Sequence, residues 1–426
     1  MPIERLQVGP ADPPAAVAAR VRDLVPGGDS VREPVAAIVA AVVSGGDLAL
    51  ADHVARLDRG PGETALPIRV PDTELDAAVD GLDGDLRAAL ELAIANVSAV
   101  ARATCADDID VELPQGQRIR VREVPVRRAA VYVPGGRAPY PSTVVMGVAT
   151  ARVAGVDRVV VASPSADPVL HAACRLAGAD EVHRMGGAHA VAALAHGTET
   201  IDPVDVIVGP GNLWVQEAKR QVADRVGIDG FAGPSDLLVL ADATADPELV
   251  ALDLAAQAEH GTGSLVVLVT DDDAVADDVA RRLDRGVAGG PDTETSGAAY
   301  AIVRVTGAAE GLAVAEAFAP EHLELIGTSM EALAPRVRSA GCLFVGPTGA
   351  TAFGDYVVGS NHTLPTDGAA RFASTLSART FRRTMSEVHV GPAADALAAA
   401  GARIADAEGY VVHAASMRAR HNGDPR

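Results

Sequence analysis

Two stretches of this chain gather side chains able to bind a metal and move protons: Gln257-Ala258-Glu259-His260 and Pro320-Glu321-His322. The first closes a segment with clear helix punctuation. Asp246 suits an N-cap, Pro247 the first helical position and Gly261 the position just past the end. Leu249, Val250, Leu252 and Leu254 between them supply a core face. Gln257 and His260 are i, i+3 neighbours, so they project side by side from the last turn. An amide oxygen and an imidazole on one face make half of a metal site. An imidazole near a helix C-terminus is also favoured by the macrodipole alone, and both readings stand. Glu321 and His322 set a carboxylate beside an imidazole, the usual parts for proton transfer; a polar loop after Pro320 is the plainer alternative. Gly354-Asp355-Tyr356 and the Gly359–Thr366 run form a third polar stretch. There Asp355 reads as an oxygen ligand or an Asx-turn, and His362 as a substrate contact or a surface residue. Glu408 to His413 reads by itself as a helix terminus with a capping Gly409.

These residues need a scaffold, and the texture of the chain implies one. The first hundred or so residues read as mostly helical, with glycine turns at Gly27-Gly28 and Gly45-Gly46. From Ala129 the pattern changes. Ala129–Val133, Arg158–Ala162, Glu181–Met185 and Asp205–Val208 are β-type runs, each followed by a turn and a helical stretch (about Ser142–Val153, Pro168–Leu176, from Gly187, and from Asn212). A second series starts at Asp236: strands at Leu237–Ala241, Leu265–Thr270, Ala299–Val305, Leu323–Ile326 and Cys342–Val345, with helices at Pro247–His260, Asp272–Leu283 and up to Phe318. Repeated strand–turn–helix units predict parallel sheets with crossover helices. After Phe372 strand signals fade, and Ala393–Ala400 and Ala402–Ala407 read as helix. The fold class is therefore α/β: two Rossmann-like parallel-sheet domains at 129–235 and 236–372, a mostly helical N-terminal region at 1–128 and a helical tail at 373–426. Gly135-Gly136, Gly186-Gly187 and Gly209-Pro210-Gly211 fall at strand ends, where backbone can approach a nucleotide. None matches GxGxxG, and each is equally a tight βα turn.

Composition narrows the partners. The 426 residues are 48% hydrophobic and 22% charged, with only 3% aromatics, which is a globular profile with a core of Ala and Val. A formal charge of -21 repels phosphates and anionic lipid, so nucleic acid and membrane are not expected partners. The apolar run Val35–Val43 is shorter than the roughly 20 residues of a spanning helix. It follows Ser30-Val31-Arg32-Glu33, a capping-box pattern expected to start a core helix. No secretory signal is visible. Cys105, Cys174 and Cys342 lack CxxC spacing, so a reducing cytoplasm is expected and any metal must use nitrogen and oxygen ligands.

The chain as a whole resembles the histidinol dehydrogenase family, most clearly from Val126 to Arg420. The segments that carry the resemblance are VYVPGGRAPYPSTVVM, GPGNLWVQEAKRQV, AGPSDLLVLAD, AQAEH, APEHLEL, GDYVVGSNHTLPT and EGYVVH, in that order. The resemblance implies NAD-dependent oxidation of L-histidinol to L-histidine with zinc as second cofactor. It implies Gln257, His260, Asp355 and His413 as zinc ligands and Glu321 and His322 as the acid–base pair. Ser235, Gln257, His260, His322, Asp355, Glu408 and His413 would contact substrate. Tyr132, His189 and Asn212 fall where the family binds NAD, although the family usually has Gln where this chain has His189. A homodimer is implied, with the C-terminal tail exchanged between copies. Other readings of the same residues are a dehydrogenase of another polar alcohol, a zinc hydrolase using Glu321, and a nucleotide-binding module without catalysis.

Overall fold

A computed structural model describes residues 3–9, 12–25, 30–59, 66–135, 139–231, 233–289 and 296–420. Gly27, Gly28 and Gly136, singled out above, lie outside the described residues. The chain opens with β1 (Glu4–Gln7), α1 (Pro14–Arg22), α2 (Arg32–His53), α3 (Asp72–Asp80), α4 (Gly84–Ala103), β2 (Ile109–Glu112) and β3 (Arg118–Pro125). The N-terminal region is thus not wholly helical. The capping box expected at Ser30 does not form, because α2 starts after Val31 with no side-chain cap. The glycine turn at 45–46 is a break inside α2, where Gly46 takes a φ of 53° that a side chain would oppose. By length and composition the stretch from Arg32 to Asp58 could cross a membrane. Its inner face, however, buries Val35, Val42, Leu50 and Val54 in the same cluster as Val191 and Leu194.

The next elements are β4 (Arg128–Tyr132), α5 (Pro141–Val144), α6 (Thr150–Ala154), β5 (Arg158–Ala162), α7 (Pro168–Ala177), β6 (Glu181–His183), α8 (Gly187–His196), β7 (Val206–Val208), α9 (Leu213–Val222) and β8 (Gly227–Ile228). Their strands form one parallel sheet in the order β6-β5-β4-β7-β8. The order reverses between β4 and β7, and the carboxyl ends of those two strands flank the crevice where such sheets bind ligands. A glycine closes this junction. Gly209 has φ 116°, and a Cβ on it would stand 2.0 Å from the Tyr132 carbonyl oxygen.

The second parallel sheet uses β9 (Asp236–Ala241), α10 (Pro247–Ala258), β10 (Leu265–Thr270), α11 (Asp273–Arg285), β11 (Ala299–Arg304), α12 (Ala308–Phe318), β12 (His322–Ile326), α13 (Thr328–Glu331), β13 (Cys342–Val345) and α14 (Thr351–Tyr356). Its order is β1-β11-β10-β9-β12-β13, so the first strand of the chain completes the edge. Every residue of β9, β10 and β12 is buried, as expected of parallel strands covered on both faces. Asp246 caps α10 by accepting the Glu248 N–H at 2.9 Å, and Pro247 is its first residue.

The tail departs from expectation. β14 (Arg382–His389) pairs antiparallel with β3, which also pairs with β2, giving a small separate sheet. The sequence Arg-Arg-Thr-Met-Ser-Glu-Val-His has no buried position, so it carries no apolar alternation from which a strand could be read. Two helices follow, α15 (Ala394–Ala407) and α16 (Val411–Arg418), packed on each other through Ala402, Ala405 and Ala414. All three cysteines are free thiols.

Lys219, on α9, is the only lysine in the chain. Its buried Nζ donates to the Gly209 carbonyl at 2.5 Å and to Asp229 Oδ1 at 2.6 Å, while Asp229 Oδ2 accepts the Gly209 N–H at 2.6 Å. One ion pair therefore holds both peptide groups of the crevice glycine. Breaking a buried pair from one side leaves an uncompensated charge. Lys219→Met is expected to lose about 3–5 kcal/mol of stability, read by chemical denaturation; a loss below about 1 kcal/mol would show that Asp229 finds solvent or another donor.

Candidate active site

Two buried acids of the second sheet lie at the amino ends of its strands. Asp236 begins β9 and Glu321 immediately precedes β12. The two exchange backbone hydrogen bonds: Glu321 N–H donates to Asp236 Oδ1 at 2.7 Å, and Asp236 N–H donates to Glu321 Oε2 at 3.1 Å. Each carboxyl thereby satisfies a strand-end donor that the parallel ladder leaves over. Burial pushes both carboxyls up, each to about 7, although Arg22 beside Asp236 and the Ser235 hydroxyl on Glu321 pull the other way. Arg22 reaches in from α1, donating to the Phe318 carbonyl at 2.5 Å and lying 4.0 Å over the Phe318 ring.

From Glu321 a short relay leads to α10. Ser235 Oγ donates to Glu321 Oε2 at 2.7 Å and accepts from Gln257 Nε2 at 2.8 Å. Gln257 and His260 do come off the end of α10, but not as equals. Gln257 is buried, whereas His260 is exposed beyond the helix with Nδ1 3.1 Å from the Gln257 carbonyl. His322 is buried as the first residue of β12, its Nδ1 3.3 Å from the Asp236 carbonyl and its ring 6.2 Å from that of Phe344. A carbonyl only accepts, so Nδ1 carries the proton and Nε2 is left with its lone pair. Burial also holds the His322 pKa below the usual imidazole value. Both features favour the neutral imidazole, the form whose free nitrogen can accept a proton.

Asp355 sits within helix α14, not in an Asx-turn. Burial raises its pKa, and the positive forms of His322 and His260 oppose that rise, which puts the three side chains within electrostatic reach of one another. His362 joins them. Its Nε2 is buried with no hydrogen-bond partner, and burial lowers its pKa to about 4, with His322 and His260 acting in the same direction. The loop that carries it is pinned by Asn361, which donates to the Met146 carbonyl at 3.0 Å and to Thr150 Oγ1 at 3.2 Å. Two parts of this site escaped sequence reasoning: Asp236 as partner of Glu321, and Arg22 as its buttress. Asp236 stands next to Ser235 in the motif, but nothing marks an arginine some two hundred residues upstream as its neighbour.

The structure does not bring Glu408 and His413 into this buried group. Both are exposed, and the His413 ring rests 5.2 Å from Tyr410 of its own tail. The candidate NAD residues gather elsewhere, at the carboxyl edge of the first sheet. Tyr132 ends β4, and its hydroxyl accepts the Gly187 N–H at 3.0 Å. Asn212 caps α9 with its Oδ1 accepting from Trp214 and Val215. His189 lies buried in α8, Nε2 2.8 Å from Asp58 Oδ2, the same oxygen that accepts the Gly186 N–H at 2.9 Å. This histidine is thus occupied in bracing the glycine turn. The connection after β4 ends at Tyr140, which lies close enough to Tyr356 to influence its hydroxyl, so the edge of the first sheet approaches α14.

The donors suit zinc in kind. With Gln257 Nε2 committed to Ser235, Oε1 is the amide atom left for a metal, and His260 and Asp355 add nitrogen and oxygen. Among the described residues no three His, Cys, Asp or Glu side chains converge as a metal-binding group. His413, the remaining candidate ligand, stays on its own tail.

Comparison with known proteins agrees with this geometry. A family model described as Histidinol dehydrogenase matches residues 26–421. A histidinol dehydrogenase of Parasynechococcus marenigrum is 45% identical over 90% of this chain and 89% of its own. One of Rhizobium meliloti is 42% identical over 92% of this chain and 93% of its own. The crystal structure of histidinol dehydrogenase from Elizabethkingia anophelis superposes with a TM-score of 0.90 at 28% identity, covering 98% of each chain. With a match over nearly its whole length to the family model, to relatives and to a solved structure of the same fold, the chain belongs to the histidinol dehydrogenase family.

Proposed function

We propose that this protein oxidises L-histidinol through L-histidinal to L-histidine, the closing steps of histidine biosynthesis, using two NAD in succession and a zinc ion beside the acid–base pair. The observation that carries this reading is the Gln257–Ser235–Glu321 relay next to His322. It connects a candidate ligand directly to a candidate water-activating base. When bound by Gln257, His260, Asp355 and a His413 from a second copy, zinc supplies an electrophilic anchor for the nitrogen and oxygen donors of the substrate. When bound near Tyr132 and Asn212, NAD supplies the acceptor for both hydrides.

The residues of the chain account for the proton movements. His322 Nε2 takes the hydroxyl proton of the alcohol as the adjacent carbon loses hydride, giving the aldehyde. Glu321 takes a proton from a water that adds to the aldehyde carbon, and the resulting hydrate loses the second hydride to give the carboxylate. Water, two hydrides and the released protons balance a four-electron oxidation. A carboxyl that titrates near 7 both accepts and returns a proton at neutral pH. Their burial excludes bulk water, which protects a reactive amino aldehyde between the two steps.

The exposed tail supports a homodimer. Ile404, Tyr410, Val411 and Val412 are all more than half exposed, an apolar surface on helices that have little core of their own. Exchange of such an element between identical chains is a low-cost route to a two-fold dimer, and it would bring Glu408 and His413 to the neighbour's site.

Three measurements test this reading. Histidinol should yield about two NADH per molecule consumed, and Glu321→Gln should slow oxidation of the aldehyde more than that of the alcohol; equal loss in both would reassign the two roles. His260→Ala and Asp355→Ala should lose metal without losing their cooperative unfolding transition, because their ligands hang on separately packed elements. Wild-type metal content in either variant removes that residue from the ligand set. Finally, Glu321→Gln and His413→Ala, each inactive, should recover about a quarter of wild-type activity when dissociated and reassociated at random. Confirmed hybrids with no recovery would place the tail at its own site.

A further inference from the structure

Among the described residues, Ala288, Ala319 and Asp367 hold a positive φ without being glycine. Ala288 is exposed after α11. Ala319 and Asp367 both border the proposed site, and a single side chain, Arg22 at the end of α1, is bonded at both.

Ala319 is fully buried at the end of α12, with φ 50° and ψ 67°. A side chain opposes that conformation, and a following proline ordinarily drives a residue to extended backbone. Pro320, Glu321 and His322 come next, so this corner sets the direction in which the acid–base pair leaves the helix. Arg22 Nη2 donates to the carbonyl of Phe318, immediately before the corner, at 2.5 Å. Asp367, with φ 53°, closes the loop that carries His362. Its Oδ1 accepts from Arg22 Nη1 at 3.4 Å. A Cβ on neighbouring Gly368 would stand 3.6 Å from both Arg22 Nη2 and the Phe318 oxygen, so the loop packs directly on that hydrogen bond. Thr366 of the same loop accepts the Gly233 N–H at 2.5 Å, two residues before Ser235. Arg22 Nη1 also reaches Asp236 Oδ2 at 3.5 Å.

We propose that Arg22 is a positioning residue for the reaction, its guanidinium locking the corners at Ala319 and Asp367 against Asp236 and so aiming Glu321, His322 and the His362 loop at one point. This rests on the reading of the site given above. Strained backbone persists only where its surroundings over-determine it. A planar fork of donors can hold a carbonyl and two carboxylates at once, and the Phe318 ring, 4.0 Å below, keeps the plane in place. α1 itself is docked by Val17, Ala18 and Val21 in the apolar cluster that includes Leu312 and Phe318. The hold can therefore be removed without undocking the helix.

The test uses the full-length protein with zinc. Arg22→Met, which keeps the apolar stem and loses every donor, should lower kcat for histidinol by about 10- to 100-fold, with KM for NAD and zinc content within about twofold of wild type. Arg22→Lys, a point charge without the fork, should fall between the two. Glycine adopts the left-handed corner without opposition, so Arg22→Met/Ala319→Gly should regain part of the activity lost in Arg22→Met. Unimpaired kcat in Arg22→Met overturns the proposal, as does a loss that zinc content and KM for NAD follow in equal measure. No recovery in the double variant overturns the role of the Ala319 corner. If Arg22→Met does not fold, Arg22→Lys decides, and wild-type kcat in it overturns the three-way hold. A further readout does not depend on turnover. In protein carrying nitrogen-labelled histidine, the His322 Nδ1 resonance, identified by its loss in His322→Gln, should move in Arg22→Lys; an unmoved resonance overturns the proposal. Should the wild type make no NADH from histidinol, the reading of function fails, while that resonance still reports on Arg22.

Discussion

The reciprocal hydrogen bonds between Asp236 and Glu321 bear on every other part of the site. Each acid takes the backbone N–H of the other at the point where a parallel strand begins, so neither can turn away without stranding a buried donor. That exchange fixes the Glu321 carboxylate, sets the Asp236 carbonyl against His322 Nδ1 and lines up Ser235 for the relay to Gln257. Removing water from two neighbouring acids is costly. Arg22 offsets part of that cost, which explains why a helix near the start of the chain packs beneath a strand more than two hundred residues later.

The proposed chemistry sits at the amino edge of the second sheet, while the glycine turns of the first sheet lie at its carboxyl edge. Crossover helices resolve this. α10 runs back from the carboxyl end of β9 towards the amino edge, so its last turn delivers Gln257 and His260 beside Ser235 and Glu321. The carboxyl ends of β9 and β12 are filled instead by Asp242. Its two oxygens accept from the N–H and hydroxyl of Thr244 and from the N–H and hydroxyl of Ser329. The two sheets share a parallel topology and differ in what lines them: the first has glycine turns at its carboxyl edge, the second acids and imidazoles at its amino edge.

Much of this was legible in the residues. Val- and Ala-rich runs separated by glycine turns announce buried parallel strands, because only strands covered on both faces can be apolar throughout. Asp246, Pro247 and Gly261 bracket α10 by local capping chemistry that needs no tertiary partner. Pro320-Glu321-His322 places an acid and an imidazole next to each other whatever the fold. By contrast β14 was invisible, since a strand exposed on both faces carries no periodic apolar signal, and Ser30 did not cap α2 even though its spacing to Glu33 is right.

What the chain determined alone was therefore the inventory: which side chains can bind a metal or move a proton, and the α/β class, both set by local propensity and by which runs are apolar enough to be buried. Tertiary structure decided which of them meet. It joined Asp236 to Glu321, brought Arg22 and His362 to the same place, committed His189 to Asp58, and left His413 exposed on its tail. Those outcomes depend on hydrogen bonds and desolvation between segments far apart in sequence, and neither can be computed from spacing along the chain.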